Sequence, residues 1–106
     1  MQEEDFDELD IERYLDQERE EAINFFIESC EAAYEEVMKC GLGFLDESDH
    51  QEREEVRTAL RKTLAVMEAK EEYEKCRELS LKMEFAFPGF DTTPDREYVR
   101  ELGLLN

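Results

Sequence analysis

The hydrophobic pattern between about Glu18 and Cys40 predicts a long amphipathic helix. Apolar residues recur there at alternating spacings of three and four, which places them on one helical stripe: Ile23, Phe26, Cys30, Ala33, Val37 and Cys40. Gly41 follows Lys39 and Cys40, and a glycine after a basic last turn predicts the end of the helix.

A second periodic segment runs from DESDHQ (46–51) to about Phe85. Its apolar positions are Val56, Leu60, Leu64 and Met67 in the first half, and Tyr73, Cys76, Leu79 and Met83 in the second. Ser48 and Gln51 fit a capping box, and Asp46 and Asp49 compete for the same capping role. The segment therefore predicts a second long helix of more than 20 residues.

The apolar connector 42–45 predicts that the two helices fold back on each other. A turn near Phe44 would place the polar stretch 16–21 beside 67–72, and Cys76 beside Ile11 and Glu12. The polar bands then match each other and so do the apolar bands. The arrangement expected is a long antiparallel helical hairpin.

The C-terminal segment predicts a short third helix packed back onto this hairpin. Pro88-Gly89 is typical of a turn, Thr93-Pro94 of a helix start, and Gly103 of a helix end. The residues expected to face inward are Tyr98, Val99 and Leu102, and the aromatic cluster Phe85, Phe87 and Phe90 is expected to fold this tail back onto the hairpin. The fold class predicted is all-α, and its wide apolar faces would also allow two hairpins to pair into a bundle.

Length and composition agree with a single helical domain over residues 1–106. The chain has only four Gly and two Pro, which leaves little turn chemistry for an all-β fold. Residues 1–16 form an acidic N-terminal arm or a helix extension.

No apolar run approaches the roughly 20 residues of a membrane span. No basic stretch followed by an apolar one opens the chain, and three cysteines are an odd count. Together these features predict a cytoplasmic protein with reduced thiols.

The charge distribution narrows the choice of partner. Residues 1–21 hold 11 acidic and two basic side chains, which is half of the net charge of −18. Phosphate neutralisation supplies most of the affinity of nucleic-acid binding, so direct binding to nucleic acid or to an anionic membrane is not expected. A protein partner with a basic surface is expected instead.

The sequence offers little for catalysis or cofactor binding. His50 is the only histidine, and it lies among acidic residues at a helix start. Glu47 and His50 have the Glu-x-x-His spacing of di-iron bundles, but at the loop end of a helix instead of deep inside a bundle. We therefore expect no catalytic residue, no cofactor and no metal ion, and the protein is expected not to be an enzyme.

The acidic arm differs from a purely solvating tail because apolar residues are interleaved with its acids. The residues predicted to bind the partner are Asp5, Phe6, Asp7, Glu8, Asp10, Glu12, Tyr14 and Asp16. These features favour a non-catalytic protein that binds a basic, often nucleic-acid-binding, surface and acts as an inhibitor or regulator by charge mimicry of nucleic acid. The alternative is an oligomerising helical-hairpin adaptor or chaperone, with a homodimer held by the apolar stripe.

Overall fold

The computed structural model describes the backbone of residues 8–103 and the side chains of residues 13–103. Within that part of the chain the fold is all-α, as predicted. Four α-helices and one 3-10 helix follow each other: α1 Glu8–Cys40, the 3-10 helix Gly43–Glu47, α2 His50–Ala69, α3 Tyr73–Ala86 and α4 Arg96–Glu101. Helix α1 packs on α2, and α2 packs on both α3 and α4.

The turn between α1 and α2 confirms two sequence signals. Helix α1 ends at Cys40, and Gly41 has a positive φ of 76°, a conformation that glycine adopts at little cost. Asp49 caps α2 by accepting a hydrogen bond from the Glu52 amide at 2.8 Å. Of the three competing caps, Asp49 therefore takes the role, and Ser48 instead donates to the Phe44 carbonyl.

The prediction of one continuous second helix to about Phe85 is wrong. Helix α2 stops at Ala69 after 20 residues, and the chain reverses at Glu71, whose φ is 61°. The amide of Glu72 then bonds to the Met67 carbonyl at 2.9 Å. The break lets α3 fold back, so Leu79 and Met83 become fully buried.

The main core explains why this break is favourable. It unites residues from the first three α-helices and the turns: Val37, Leu45, Leu60, Leu64, Leu79, Met83 and Phe87. A straight helix would leave Leu79 and Met83 beside the polar start of α1, where they would bury little apolar surface. The predicted pairing of Cys76 with Ile11 and Glu12 is consequently wrong, since the Cys76 thiol lies 3.5 Å from the Leu64 carbonyl.

The predicted pairing of 16–21 with 67–72 is also wrong. Lys70 forms an ion pair with Glu31 at 3.4 Å, so α2 ends beside the middle of α1. A second cluster lies here, where Cys30 packs with Ala65, Val66 and Val99. The first turns of α1 extend past these contacts.

Helix α4 packs against α2, but it starts two residues later than the sequence predicts. Asp95, and not Thr93, caps it, by accepting from the Tyr98 amide at 3.2 Å. Thr93 donates its own amide and hydroxyl to Asp91. The predicted inward orientation is confirmed for Val99, which is fully buried. Tyr98 and Leu102 are half-buried.

The predicted aromatic cluster does not form. Phe87 is buried in the main core, but Phe85 is 91% exposed and Phe90 is 53% exposed. Phe90 instead lies beneath the Arg57 guanidinium, whose Cζ atom is 5.6 Å from the centroid of the Phe90 ring. Polar contacts also hold the tail, since Arg57 and Arg61 of α2 donate to the carbonyls of Asp91 and Thr93.

Candidate protein-interaction surface

The first half of α1 projects from the packed part of the molecule. Every side chain from residue 13 to residue 22 is exposed, and we call these ten residues the projecting segment. The buried stripe of α1 begins at Ile23. The positions in line with it four and seven residues earlier are occupied by Arg19 and Asp16, which are polar and exposed. The buried stripe therefore does not extend into the segment, which is helical because Glu, Arg, Leu and Gln are good helix formers.

The predicted partner-binding residues fall into three groups in the structure. Asp5, Phe6 and Asp7 lie outside the described residues. Glu8, Asp10 and Glu12 lie in the first turns of α1, where only the backbone is described. Tyr14 and Asp16 are exposed, with 61% of the Tyr14 surface open to solvent.

Tyr14 and Asp16 do not belong to one binding face. Successive helical residues are rotated by about 100°, so two residues separated by one position point about 200° apart. A flat partner surface that contacts Tyr14 leaves Asp16 on the far side. Of the predicted residues, the structure thus places Tyr14 and Asp16 on one helix but on opposite sides of it.

A groove lies between α1 and α2. Its volume is about 560 Å³, and it is walled by Phe26, Ser29 and Ala33 on one helix and by Thr58, Ala59 and Lys62 on the other. Tyr98 lies at the Phe26 end, where the two rings meet edge to face at 5.3 Å. We call this concavity the α1–α2 groove.

Several polar groups in the α1–α2 groove already have partners. The Ser29 hydroxyl donates to the Phe25 carbonyl at 2.9 Å, and Thr63 donates to the Ala59 carbonyl at 3.0 Å. The Lys62 ammonium lies 4.2 Å from the centroid of the Tyr98 ring, a cation–π contact. The floor therefore presents mainly small apolar surface, which lets another backbone approach closely.

A second concavity lies at the opposite end of α1. It has a volume of about 470 Å³ and is lined by Leu42, Leu45, Leu81, Phe85 and Ala86 among others. Two of its lining residues, Phe85 and Leu81, have 91% and 58% of their surface exposed. We call these two residues the apolar patch, and exposed apolar residues that lie together in this way mark contact surfaces.

The three cysteines are free thiols, and the pKa of each is raised from its ordinary value. Burial raises the pKa of Cys30, and burial is also the main cause that raises the pKa of Cys76. Both thiols are therefore held in the protonated, weakly nucleophilic form. His50 is exposed at the first turn of α2. Among residues 13–103, no cluster of three His, Cys, Asp or Glu side chains is placed to hold a metal ion.

Comparisons with known proteins identify no relative of this chain. None of the family models, curated proteins or solved structures that were compared matches this chain. In the described range, no helix combines the length and the apolar character needed to cross a membrane. The surface just described is therefore the basis for a functional interpretation.

Sequence reasoning found the acidic helix but not the groove. The acids are visible as a run in the sequence, whereas the groove depends on how α1 and α2 cross. The available signal was the set of small residues Ser29, Ala33, Thr58 and Ala59 at the edges of both apolar stripes. Such residues mark close helix approach only once the neighbouring helix is known.

Proposed function

We propose that this chain is a non-catalytic binding protein that presents an acidic helix to the basic surface of a protein partner. The observation that supports this proposal is the projecting segment, a helix with every side chain exposed and an excess of acids. A fully exposed helix contributes little to the core of the monomer, so a role in contact with another molecule accounts for it.

The charge indicates which partners fit. Duplex DNA carries about one negative charge per 1.7 Å of axis, and its binding proteins carry matching basic surfaces. A helix with acids on successive turns offers such a surface a sparser line of charge of the same sign. The proposed role is therefore inhibition or regulation of a nucleic-acid-binding protein by occupying its basic surface.

The test begins with a pulldown from the native host, analysed by mass spectrometry, to identify the partner. Binding kinetics are then measured over a salt series for the wild type and for a variant in which Asn or Gln replaces five predicted partner-binding acids. These acids precede the projecting segment in the sequence: Asp5, Asp7, Glu8, Asp10 and Glu12. We expect association to slow by about tenfold and its salt dependence to flatten, because charge governs the encounter rate. Single substitutions should have little effect, since each exposed acid contributes on the order of 0.2–1 kcal/mol.

A matched control separates the position of the charge from its amount. The control variant carries the same number of neutralised acids at exposed sites away from the projecting segment: Glu35, Glu47, Glu74, Glu84 and Glu101. Its association should stay within about twofold of the wild type. Equal slowing in both variants would show that only net charge matters, and the proposed docking helix would then be abandoned.

The apolar patch supports the second candidate function, an adaptor or chaperone. Phe85 and Leu81 lie on α3 at the far end of the molecule from the projecting segment, and they would be covered by an apolar partner. High salt weakens charge-driven binding but strengthens apolar association. Complexes that persist at high salt and are lost in Phe85→Ala would favour this second function.

A further inference from the structure

We propose that the partner of this protein docks as an amphipathic helix with basic flanks, and that its apolar side lies in the α1–α2 groove. This inference rests on the proposed function, because it names the element of the basic partner that is recognised. It differs from that function in the surface used, which is a groove between two helices and not a single helix.

The shape of the groove is suited to a helix. Its walls are two helices, and Ser29, Ala33 and Ala59 allow a third helix to approach without a steric clash. Helix recognition in such grooves uses apolar anchors one turn apart on the incoming helix. A volume of about 560 Å³ accommodates several such anchors at once.

Exposed apolar residues also lie on α1 between the groove and the acidic end of the molecule. Ala22 and Leu15 stand seven and fourteen residues before Ser29, so they lie on the same side of α1. Both are exposed, and 56% of the Leu15 surface is open to solvent. A helix seated in the groove would thus extend its apolar side over Ala22 and Leu15 of the projecting segment.

The charges beside the groove select a basic helix over a second copy of this chain. Glu55 is exposed on the α2 wall, and Glu36 is exposed one turn after Ala33 on α1. The Lys62 ammonium is occupied by the Tyr98 ring. Two copies of a chain with a net charge of −18 would bring acid against acid along this seam, whereas Lys or Arg flanks would pair with it.

The test uses three synthetic peptides of about 20 residues, long enough to form a helix. The first has leucines on one helical face and lysines elsewhere. The second has the same composition in scrambled order, and the third replaces each lysine by glutamate. Binding is measured by fluorescence anisotropy with the full-length protein at about 0.15 M salt. We expect the first peptide to bind at least tenfold more tightly than either of the others.

A pair of neighbouring substitutions locates the binding site. Ala33→Leu fills the groove and should weaken binding of the first peptide by about tenfold, which is about 1.4 kcal/mol. Ala32→Leu adds the same side chain one residue away, outside the groove lining, and should change the affinity by less than about twofold. Glu55→Lys, at an exposed site that keeps the fold, should also weaken binding, while Glu74→Lys on α3 should not.

The outcomes separate this inference from the proposed function. Equal effects of Ala33→Leu and Ala32→Leu, together with no effect of Glu55→Lys, would overturn the groove as the docking site. In that case, if the variant neutralised at Asp5, Asp7, Glu8, Asp10 and Glu12 still bound the natural partner more weakly than the wild type, the acidic docking helix would remain supported and only the groove would be rejected. A dimer in sedimentation that Ala33→Leu dissociates would instead show that a second copy fills the groove, and the inference would be wrong.

Discussion

At the scale of single residues, Glu71 has the most consequential backbone conformation. Its φ of 61° reverses the chain between α2 and α3, and this reversal brings Leu79 and Met83 into the core. A left-handed conformation costs an L-residue with a Cβ roughly 1–2 kcal/mol. Glutamate has no special tolerance for it, so the burial of α3 must offset this cost.

Replacing Glu71 with glycine should therefore stabilise the protein. Glycine adopts a positive φ freely but loses more chain entropy on folding, so we expect a net gain of about 0.5–1 kcal/mol in the free energy of unfolding. Urea denaturation at neutral pH measures it. The control Arg77→Gly, at an exposed position inside α3, should lose about 0.5–1 kcal/mol. Destabilisation by both substitutions would contradict this explanation of the turn.

Single residues also show which local signals can be read from a sequence. Gly41 was a clear stop because it follows a complete periodic stripe. The caps were harder, since Ser48 and Asp49, or Thr93 and Asp95, are all chemically able to accept the same kind of hydrogen bond. The choice between them depends on where the neighbouring helix packs, which a local pattern does not contain.

At the scale of elements, α4 depends on a small number of polar contacts with α2. Arg96 donates two hydrogen bonds to the Glu68 carboxylate, at 2.6 and 2.9 Å. The Asp95 amide also donates to the Arg61 carbonyl at 3.0 Å. These contacts orient the six-residue helix so that Val99 enters the second cluster.

The Glu68–Arg96 pair predicts a specific response to acid. The hydrogen bond from Arg96 is the main cause that lowers the pKa of Glu68 below its ordinary value of 4.5. A lowered folded-state pKa gives stability that is complete above 4.5 and is lost as the pH falls through the lower value. Stability measured by urea denaturation from neutral pH down to about pH 3 should thus fall less in Glu68→Gln than in the wild type.

The partner substitution provides the control for this response. Arg96→Gln should remove the same part of the pH dependence of stability. The double variant should lose no more of this pH dependence than either single variant does. If Glu68→Gln kept the full acid response of the wild type, the anchoring of α4 would have to come from Asp95 and Val99 alone.

Elements also mark the limit of the sequence prediction. The end of α1 followed from local periodicity, because one apolar stripe continues without interruption to Cys40, but α1 begins at Glu8 and not at about Glu18, where that stripe begins. The second segment shows the same periodicity on both sides of 70–72, so nothing local distinguishes one long helix from two. The break follows from a long-range effect, the burial of Leu79 and Met83 against Leu60 and Leu64.

At the scale of the whole molecule, packing and charge are separated in space. The cores lie where α2 contacts its three neighbouring helices, and the projecting segment extends beyond them, so the molecule measures 62 Å along its longest axis and 30 Å across. The acidic part of the candidate surface could be predicted from the sequence, because acidic residues are identified without knowing how the helices pack. The groove could not be, because it exists only between two packed helices.

The net charge of −18 should make the stability of the protein depend on salt. Carboxylates on one small molecule repel each other, and added salt shortens the screening length from about 30 Å at 0.01 M to about 3 Å at 1 M. The described ion pairs are few by comparison, and several are partly exposed, such as Arg96–Glu68 and Lys75–Glu72. We therefore expect sodium chloride to raise the melting temperature, measured by circular dichroism.

Two variants show whether this rise has the proposed origin. Neutralising Asp5, Asp7, Glu8, Asp10 and Glu12 should raise the melting temperature at low salt and reduce the further gain from sodium chloride, because part of the repulsion has been removed. Leu64→Ala, in the main core, should lower stability by about 2–5 kcal/mol but keep the salt response of the wild type. A melting temperature that falls with salt would mean that ion pairs such as Arg57–Glu54, and not repulsion between acids, dominate the electrostatics.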